Sequence, residues 1–341
     1  MTRKNQEDID KQLLQDICQL YDISVNDLNF LVAIDNNFVY EFQRSGKEYI
    51  LKGGTRHSSD QVQAELEWIL FLNSSGIKVS LPVQSKNNNY LELVHHGGKV
   101  INATVFEKAP GKEIDCRNPE EWNEKLWEEM GRTIGRMHTI AVKYNSEKLA
   151  FKRKTAFESI HATPENHLDL VKDSKIIKKF NKLKKKLVQL PKEKDAYGLI
   201  QYDFHYENFN VNEGEIIVYD FDDSYYFFFI YDLATCIHEA VWEVPDEKKQ
   251  EFANRFIPSL WKGYSEKYQL DRKWLEYLPD FFKWREFIIY ITLVETFNDE
   301  TTPEKYIPEL KEFIPEFKER TESEDQIVPI PANLKEWFNE Y

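Results

Sequence analysis

Asp203, Asn208 and Asp220 have the residue types and spacing that a phosphoryl-transfer centre needs. Asp203 and Asn208 lie five positions apart in QYDFHYENFNV, and Asp220 follows twelve residues later in IIVYDFDD. Moving a phosphoryl group from a nucleotide to an alcohol takes one carboxylate that orients the hydroxyl and accepts its proton. It also takes oxygen ligands that hold a divalent cation against the phosphates. Asp203 suits the first task, since a carboxylate near its ordinary pKa is a weak base whose work is largely alignment. Asn208 offers a neutral oxygen and Asp220 an anionic one, both matched to the hard Mg²⁺ ion. Each residue alone reads as a loop cap. Their joint spacing, with a short apolar strand on either side, carries the chemical reading.

The surrounding residues give that centre a family. Asp203-Phe204-His205-Tyr206-Glu207-Asn208 resembles the Asp-x-His-x-x-Asn loop of the aminoglycoside phosphotransferase and choline kinase-like superfamily. Asp220-Phe221-Asp222-Asp223, followed by Tyr231-Asp232-Leu233-Ala234, resembles that superfamily's metal-binding strand and next helix. The similarity runs from about residue 25 to about residue 300. It implies a two-lobed protein kinase-like fold of α+β class: a small antiparallel β lobe with one main helix, and a larger, mostly helical lobe. It also implies ATP as phosphoryl donor and Mg²⁺ as cofactor. Asp203 is then the base, Asn208 and Asp220 hold the metal, and His205 and Asp232 brace the loop. Asp222 and Asp223 stand beside the metal or the acceptor. One departure is plain: the superfamily usually places His-Gly before the catalytic Asp, and this chain has Gln201-Tyr202.

The same resemblance assigns the nucleotide side. Lys52 ends the strand pattern KEYILK and corresponds to the phosphate-binding lysine, with Glu65 of QAELEWILFL as its ion-pair partner in preference to Glu67. No Gly-x-Gly-x-x-Gly loop is present. Asn36, in the turn Asp35-Asn36-Asn37, occupies the corresponding place and is a candidate phosphate contact. The backbone of Phe106-Glu107-Lys108-Ala109 is expected to meet the adenine edge, through Glu107 and Ala109.

Periodicity supplies the scaffold. NFLVAI, FVYEFQ and KEYILKG alternate and are separated by polar turns, which predicts an antiparallel meander. Ser58-Ser59 opens a helix that Ser75-Gly76 stops, and two further strands follow in NYLELVHH and KVINATVFEKA. Beyond Pro110-Gly111 the pattern becomes helical over 119–142, 230–241, 246–268, 272–297 and 303–320. Residues 1–106 therefore read as the nucleotide lobe and 107–341 as the catalytic and substrate lobe, joined at a hinge near 107–111. Lys172 to Lys194 carries ten lysines and two acids, with Ile176, Phe180, Leu183 and Leu187 at helical spacing. That predicts an amphipathic helix with a solvated basic face.

Composition bounds the partners. The chain has 341 residues, 41% hydrophobic and 30% charged, and a formal charge of −14, which argues against a dominant nucleic-acid role. Acidic character suits a cationic acceptor. No apolar run is long enough to span a membrane, and three separated cysteines (Cys18, Cys116, Cys236) fit a reducing compartment, so the expected address is cytoplasmic. The expected reaction is transfer from ATP to a hydroxyl of a small molecule, whether aminoglycoside, choline-like or homoserine-like. An atypical stress-response-type protein Ser/Thr kinase and a nucleotide-binding pseudokinase scaffold are the alternatives. An acceptor pocket walled by Trp274, Tyr277, Trp284, Arg285, Glu286 and Tyr290 is expected beside Asp203.

Overall fold

The computed structural model describes residues 9–34, 37–144, 150–159, 171, 173–298, 302, 304–323, 326–331 and 334–338. Asn36 lies outside the described residues. Helix α1 (Lys11–Tyr21) starts on Asp10, whose side chain accepts from the Gln12 amide, and buries Leu13, Leu14, Ile17 and Tyr21. It covers an antiparallel sheet of β1 (Asn29–Ile34), β2 (Asn37–Arg44), β3 (Lys47–Gly54), β4 (Pro82–Val83), β5 (Glu92–His96) and β6 (Lys99–Glu107). The order is β1-β2-β3-β6-β4, with β5 also paired to β6. Helix α2 (Ser59–Ser74) is inserted after β3 and turns Leu66, Trp68, Ile69 and Leu72 into the core. This is the expected small lobe, with β4 added. A two-residue strand is too short for alternation to announce it.

The helical lobe is built on α3 (Glu124–Ala141), the lysine-rich α4 (Ser174–Val188), α5 (Phe229–Trp242), α6 (Lys249–Ser265), α7 (Leu278–Asn298) and α8 (Ile307–Glu322). Helices α3 and α6 approach so closely that a Cβ on Gly131 would lie 2.0 Å from the Leu260 carbonyl oxygen. One on Gly263 would lie 1.8 Å from that of Glu128. The Tyr225-Tyr226-Phe227-Phe228-Phe229 run, expected to anchor the next helix, first forms a strand, β10 (Tyr225–Phe228), and then enters α5. Strand β10 pairs with β7 (Tyr197–Ile200), Tyr225 opposite Ile200.

A hairpin of β8 (Phe209–Asn212) and β9 (Glu215–Val218) positions the chemistry. Its turn, Glu213-Gly214, has φ of 52° and 85°, the two left-handed residues that a tight hairpin with native twist demands. Phe209 pairs with Val218, and the Tyr219 amide donates to the Asn208 carbonyl at 3.0 Å. Asn208 and Asp220, twelve residues apart in sequence, are thus neighbours across the open end of one hairpin. Val218 also bridges Val79 in parallel, with the Ser80 amide donating to the Val218 carbonyl at 2.9 Å, which ties this hairpin to the sheet lobe.

Candidate active site

Each strand that feeds the site ends in a left-handed residue. Tyr202, after β7, has φ 72°, and Asp220, after β9, has φ 60°. Asp tolerates that region, but Tyr does so rarely, so other contacts must hold it there. The Tyr202 amide donates to Asp232 Oδ1 at 2.8 Å, its hydroxyl accepts from Trp284 Nε1 at 2.9 Å, and its ring packs on Tyr225, Phe227 and Tyr231. Gln201 Nε2 donates to the Asp220 carbonyl at 2.9 Å, which fastens the segment before Asp203 to the end of β9. The pair that replaces His-Gly therefore has its own supports. Asp232 is fully buried and continues through His138 Nε2 at 3.1 Å to Tyr264, 3.0 Å from His138 Nδ1. Asp232 thus ties the Tyr202 backbone to α3 and α6.

Asn208 Nδ2 donates to the Asp203 carbonyl at 2.8 Å and to Asp203 Oδ2 at 3.2 Å, which turns its amide oxygen away from Asp203. His205 Nδ1 accepts from the Glu207 amide at 3.4 Å, and Nε2 stands 3.5 Å from Asp203 Oδ2, so His205 packs within the loop. Burial alone would push the Asp203 pKa up. The Arg285 guanidinium, 2.8 Å from Oδ1, and His205 instead hold it far below the usual carboxylate range.

Lys52 is at the site, but its partner differs from expectation. Its ammonium lies 2.6 Å from Asp220 Oδ1, and the Lys52–Glu65 ion pair is not formed. Glu65 instead has Arg153 Nη1 at 4.0 Å. The cause is geometric: Asp220, in its left-handed turn, presents its carboxylate directly to Lys52. Burial and the charge of Asp222 push Glu65 up to about 7, and the same two causes raise Asp220. Asp222 moves the other way. Burial opposes its ionisation, yet Lys52 and Arg56 hold its pKa down. Lys52, Gly54, His57, Glu65, Asn102 and Asp222 line a small cavity between the sheet and α2.

Arg56 Nη1 lies 3.3 Å from Asp222 Oδ2, and its Nη2 lies 3.1 Å from Asp223 Oδ2, so the sheet lobe grips both carboxylates that follow the metal strand. Arg153 Nε donates to the Ser224 carbonyl at 2.7 Å and Nη1 to the Gln61 carbonyl at 3.0 Å, which staples α2 to the same strand. Sequence reasoning missed Arg56, Arg153, Glu239 and the support that Trp284 gives Tyr202. None of them sits at a spacing that announces its role.

Along the linking segment, Glu107 donates its amide to the Leu81 carbonyl at 2.8 Å and accepts from Ser80 Oγ at 2.5 Å. The Ala109 carbonyl accepts from Asn210 Nδ2 at 2.8 Å. The expected acceptor wall needs correction. Trp274, Trp284, Glu286 and Tyr290 are buried in the helical core; of that set Arg285 reaches Asp203. Helix α7 does approach the catalytic carboxylate, but along most of its length it supports the core.

An antiparallel sheet lobe, a helical lobe and one catalytic loop joined to a carboxylate hairpin define a kinase-like phosphotransferase. The phosphotransferase enzyme family matches residues 31–274, and the chain belongs to that family. It is similar to amicoumacin kinase of Bacillus subtilis (strain 168), at 35% identity over 306 residues, covering 87% of this chain and 88% of that protein. Among solved structures it is similar to amicoumacin kinase hAmiN in complex with AMP-PNP, Ca²⁺ and Ami. That likeness has a TM-score of 0.83 and 31% identity, and covers 94% of this chain and 95% of the other. A microcompartment-associated aminopropanol kinase shares the fold, with a TM-score of 0.68 and 19% identity over 92% of this chain and 99% of its own. The protein is a small-molecule kinase that phosphorylates a hydroxyl group. Among the described residues, no helix is long and apolar enough to cross a membrane.

Proposed function

We propose that this protein transfers the γ-phosphoryl group of ATP, with Mg²⁺, to a hydroxyl of an amicoumacin-type antibiotic. The observation that carries the reading is the convergence of Lys52, Asp203, Asn208 and Asp220, with Lys52 2.6 Å from Asp220 and Asn208 3.2 Å from Asp203. Asp203 Oδ2 orients the acceptor hydroxyl and takes its proton as the bond to phosphorus forms. Lys52 moves from Asp220 to the phosphates. The amide oxygen of Asn208 and the carboxylate of Asp220 are a donor set suited to a divalent cation. When bound, that cation neutralises charge building on the phosphates. Alignment of hydroxyl and phosphate supplies most of the rate.

The remaining assignments belong to the same proposal. Residues 1–106 form the nucleotide lobe and 107–341 the catalytic lobe, with a hinge near 107–111. The backbone of Glu107 and Ala109 recognises adenine. The enzyme acts in the cytoplasm. The acceptor follows from the similarity to two amicoumacin kinases at 35% and 31% identity over most of both chains. Phosphate transfer from labelled ATP to amicoumacin, 1-amino-2-propanol, choline and an aminoglycoside tests it, with Asp203→Asn as control. Transfer to amicoumacin that vanishes in the control supports the reading; efficient transfer to another of the four alone replaces the acceptor.

A further inference from the structure

Arg285 is nearly buried, its side chain 11% exposed, and both its ionic contacts are to carboxylates. Nε lies 2.8 Å from Glu239 Oε1 on α5, and Nη2 lies 2.8 Å from Asp203 Oδ1. Glu239 is held in turn, with Oε1 3.2 Å from His238 Nδ1. The two oxygens of Asp203 are therefore not equivalent. Oδ1 is buried on the Arg285 side, whereas the side chain as a whole is 27% exposed, so the carboxylate opens to the cleft through Oδ2. Oδ2 is also the oxygen beside Asn208 Nδ2 and His205 Nε2. A carboxylate on one free torsion would otherwise present either oxygen. A guanidinium fixed at its far end by a second carboxylate limits that freedom through charge, drawing Oδ1 into a 2.8 Å ionic contact although none of its N–H groups makes a hydrogen bond to that oxygen.

We propose that Arg285, clamped by Glu239, is a positioning residue for phosphoryl transfer: it seizes Oδ1 of Asp203 and commits Oδ2 to the acceptor hydroxyl. This rests on the reading of Asp203 as the base. Arg285 spends its ionic contacts on Asp203 and Glu239, so its loss is expected to act on turnover rather than on nucleotide binding. Misalignment of about 1 Å at a reacting group costs on the order of 10²-fold in rate.

The test compares wild type, Arg285→Ala, Arg285→Lys and Asp203→Asn, with Mg²⁺–ATP and amicoumacin and, in parallel, as ATP hydrolysis to water without acceptor. In Arg285→Ala kcat is expected to fall about 10²-fold in both reactions. KM for ATP should stay within about twofold, as it should when only transition-state alignment is lost. Guanidinium at tens of millimolar, against matched KCl, should restore about tenfold of that loss in Arg285→Ala and nothing in wild type or Asp203→Asn. Arg285→Lys keeps a buried cation and covers the case in which the alanine variant fails to fold. One ammonium cannot hold both carboxylates in a fixed fork, so its kcat should fall about tenfold at unchanged KM. Wild-type kcat in Arg285→Lys, or a folded Arg285→Ala with normal kcat or no guanidinium response, overturns the proposal. Asp203→Asn separates the two layers. If it keeps full turnover, the base reading itself has failed. If it is inactive while Arg285→Lys is unimpaired, the role of Arg285 alone is wrong.

Discussion

Replacing Tyr202 weighs backbone strain against a buried anchor beside the base. Its φ of 72° costs a non-glycine residue about 1–2 kcal/mol, which glycine would recover. Against that, Tyr202 is 4% exposed, and losing a buried aromatic ring costs about 3–5 kcal/mol. Tyr202→Gly should therefore lower stability by about 1–4 kcal/mol net, although it restores the residue usual at this position in the superfamily. Tyr202→Phe keeps ring and backbone and removes only the hydroxyl that accepts from Trp284 Nε1. That leaves a buried N–H without its acceptor, at about 1–3 kcal/mol. Urea unfolding followed by tryptophan fluorescence measures both variants on one scale. A Tyr202→Gly protein more stable than wild type would mean that strain outweighs packing. A neutral Tyr202→Phe would mean that the Trp284 bond contributes nothing, and the account of how this loop survives without His-Gly would be wrong.

Asp220→Ala should abolish the stabilisation by Mg²⁺–ATP, roughly 2.7 kcal/mol at 100 times Kd, whereas Asp203→Asn should keep it and lose turnover by about 10²–10⁴-fold; equal loss of binding in both variants would show the roles to be misassigned. Glu65 is raised by burial and Asp222 from 4.5 to about 7, so its contribution to stability is full below pH 4.5 and is lost as pH rises through 7. The stability of wild type relative to Glu65→Gln should therefore decline between pH 4.5 and 7 and level off above; a difference that does not change with pH refutes this. Gly131→Ala would set a Cβ 2.0 Å from the Leu260 oxygen and should destabilise by about 1–3 kcal/mol despite the helix propensity of alanine, as read by urea unfolding.

Local signals made most of the fold legible. The meander, α2 and the late helices follow alternation, caps and helical spacing, and those patterns survive because each element buries one face. The catalytic loop was legible because Asp203, Asn208 and Asp220 are carried by one strand-loop-hairpin unit, so sequence spacing converts directly into distance. Arg56 and Arg153 were not, and Arg285 was expected in an acceptor wall beside Asp203 rather than in an ion pair with it. Their partners lie 166, 71 and 82 positions away in Asp222, Ser224 and Asp203, and no period links such residues. The aromatic residues of α7 misled for a related reason: polar groups among aromatics read as a pocket, but a helix buried on several sides shows the same composition.

The Lys52–Glu65 pairing failed because it depends on charge balance, which spacing does not encode. Six carboxylates (Glu65, Asp203, Asp220, Asp222, Asp223, Glu239) meet four cations (Lys52, Arg56, Arg153, Arg285) in four separate ion-pair groups. The cations are not shared evenly. Arg56 takes two carboxylates after the metal strand, Arg285 spans Asp203 and Glu239, and Lys52 is left to Asp220. Glu65 has its nearest cation at 4.0 Å, and burial then favours its protonated form. Glu65 and Asp220 are both raised in pKa, each by burial first and then by the charge of Asp222.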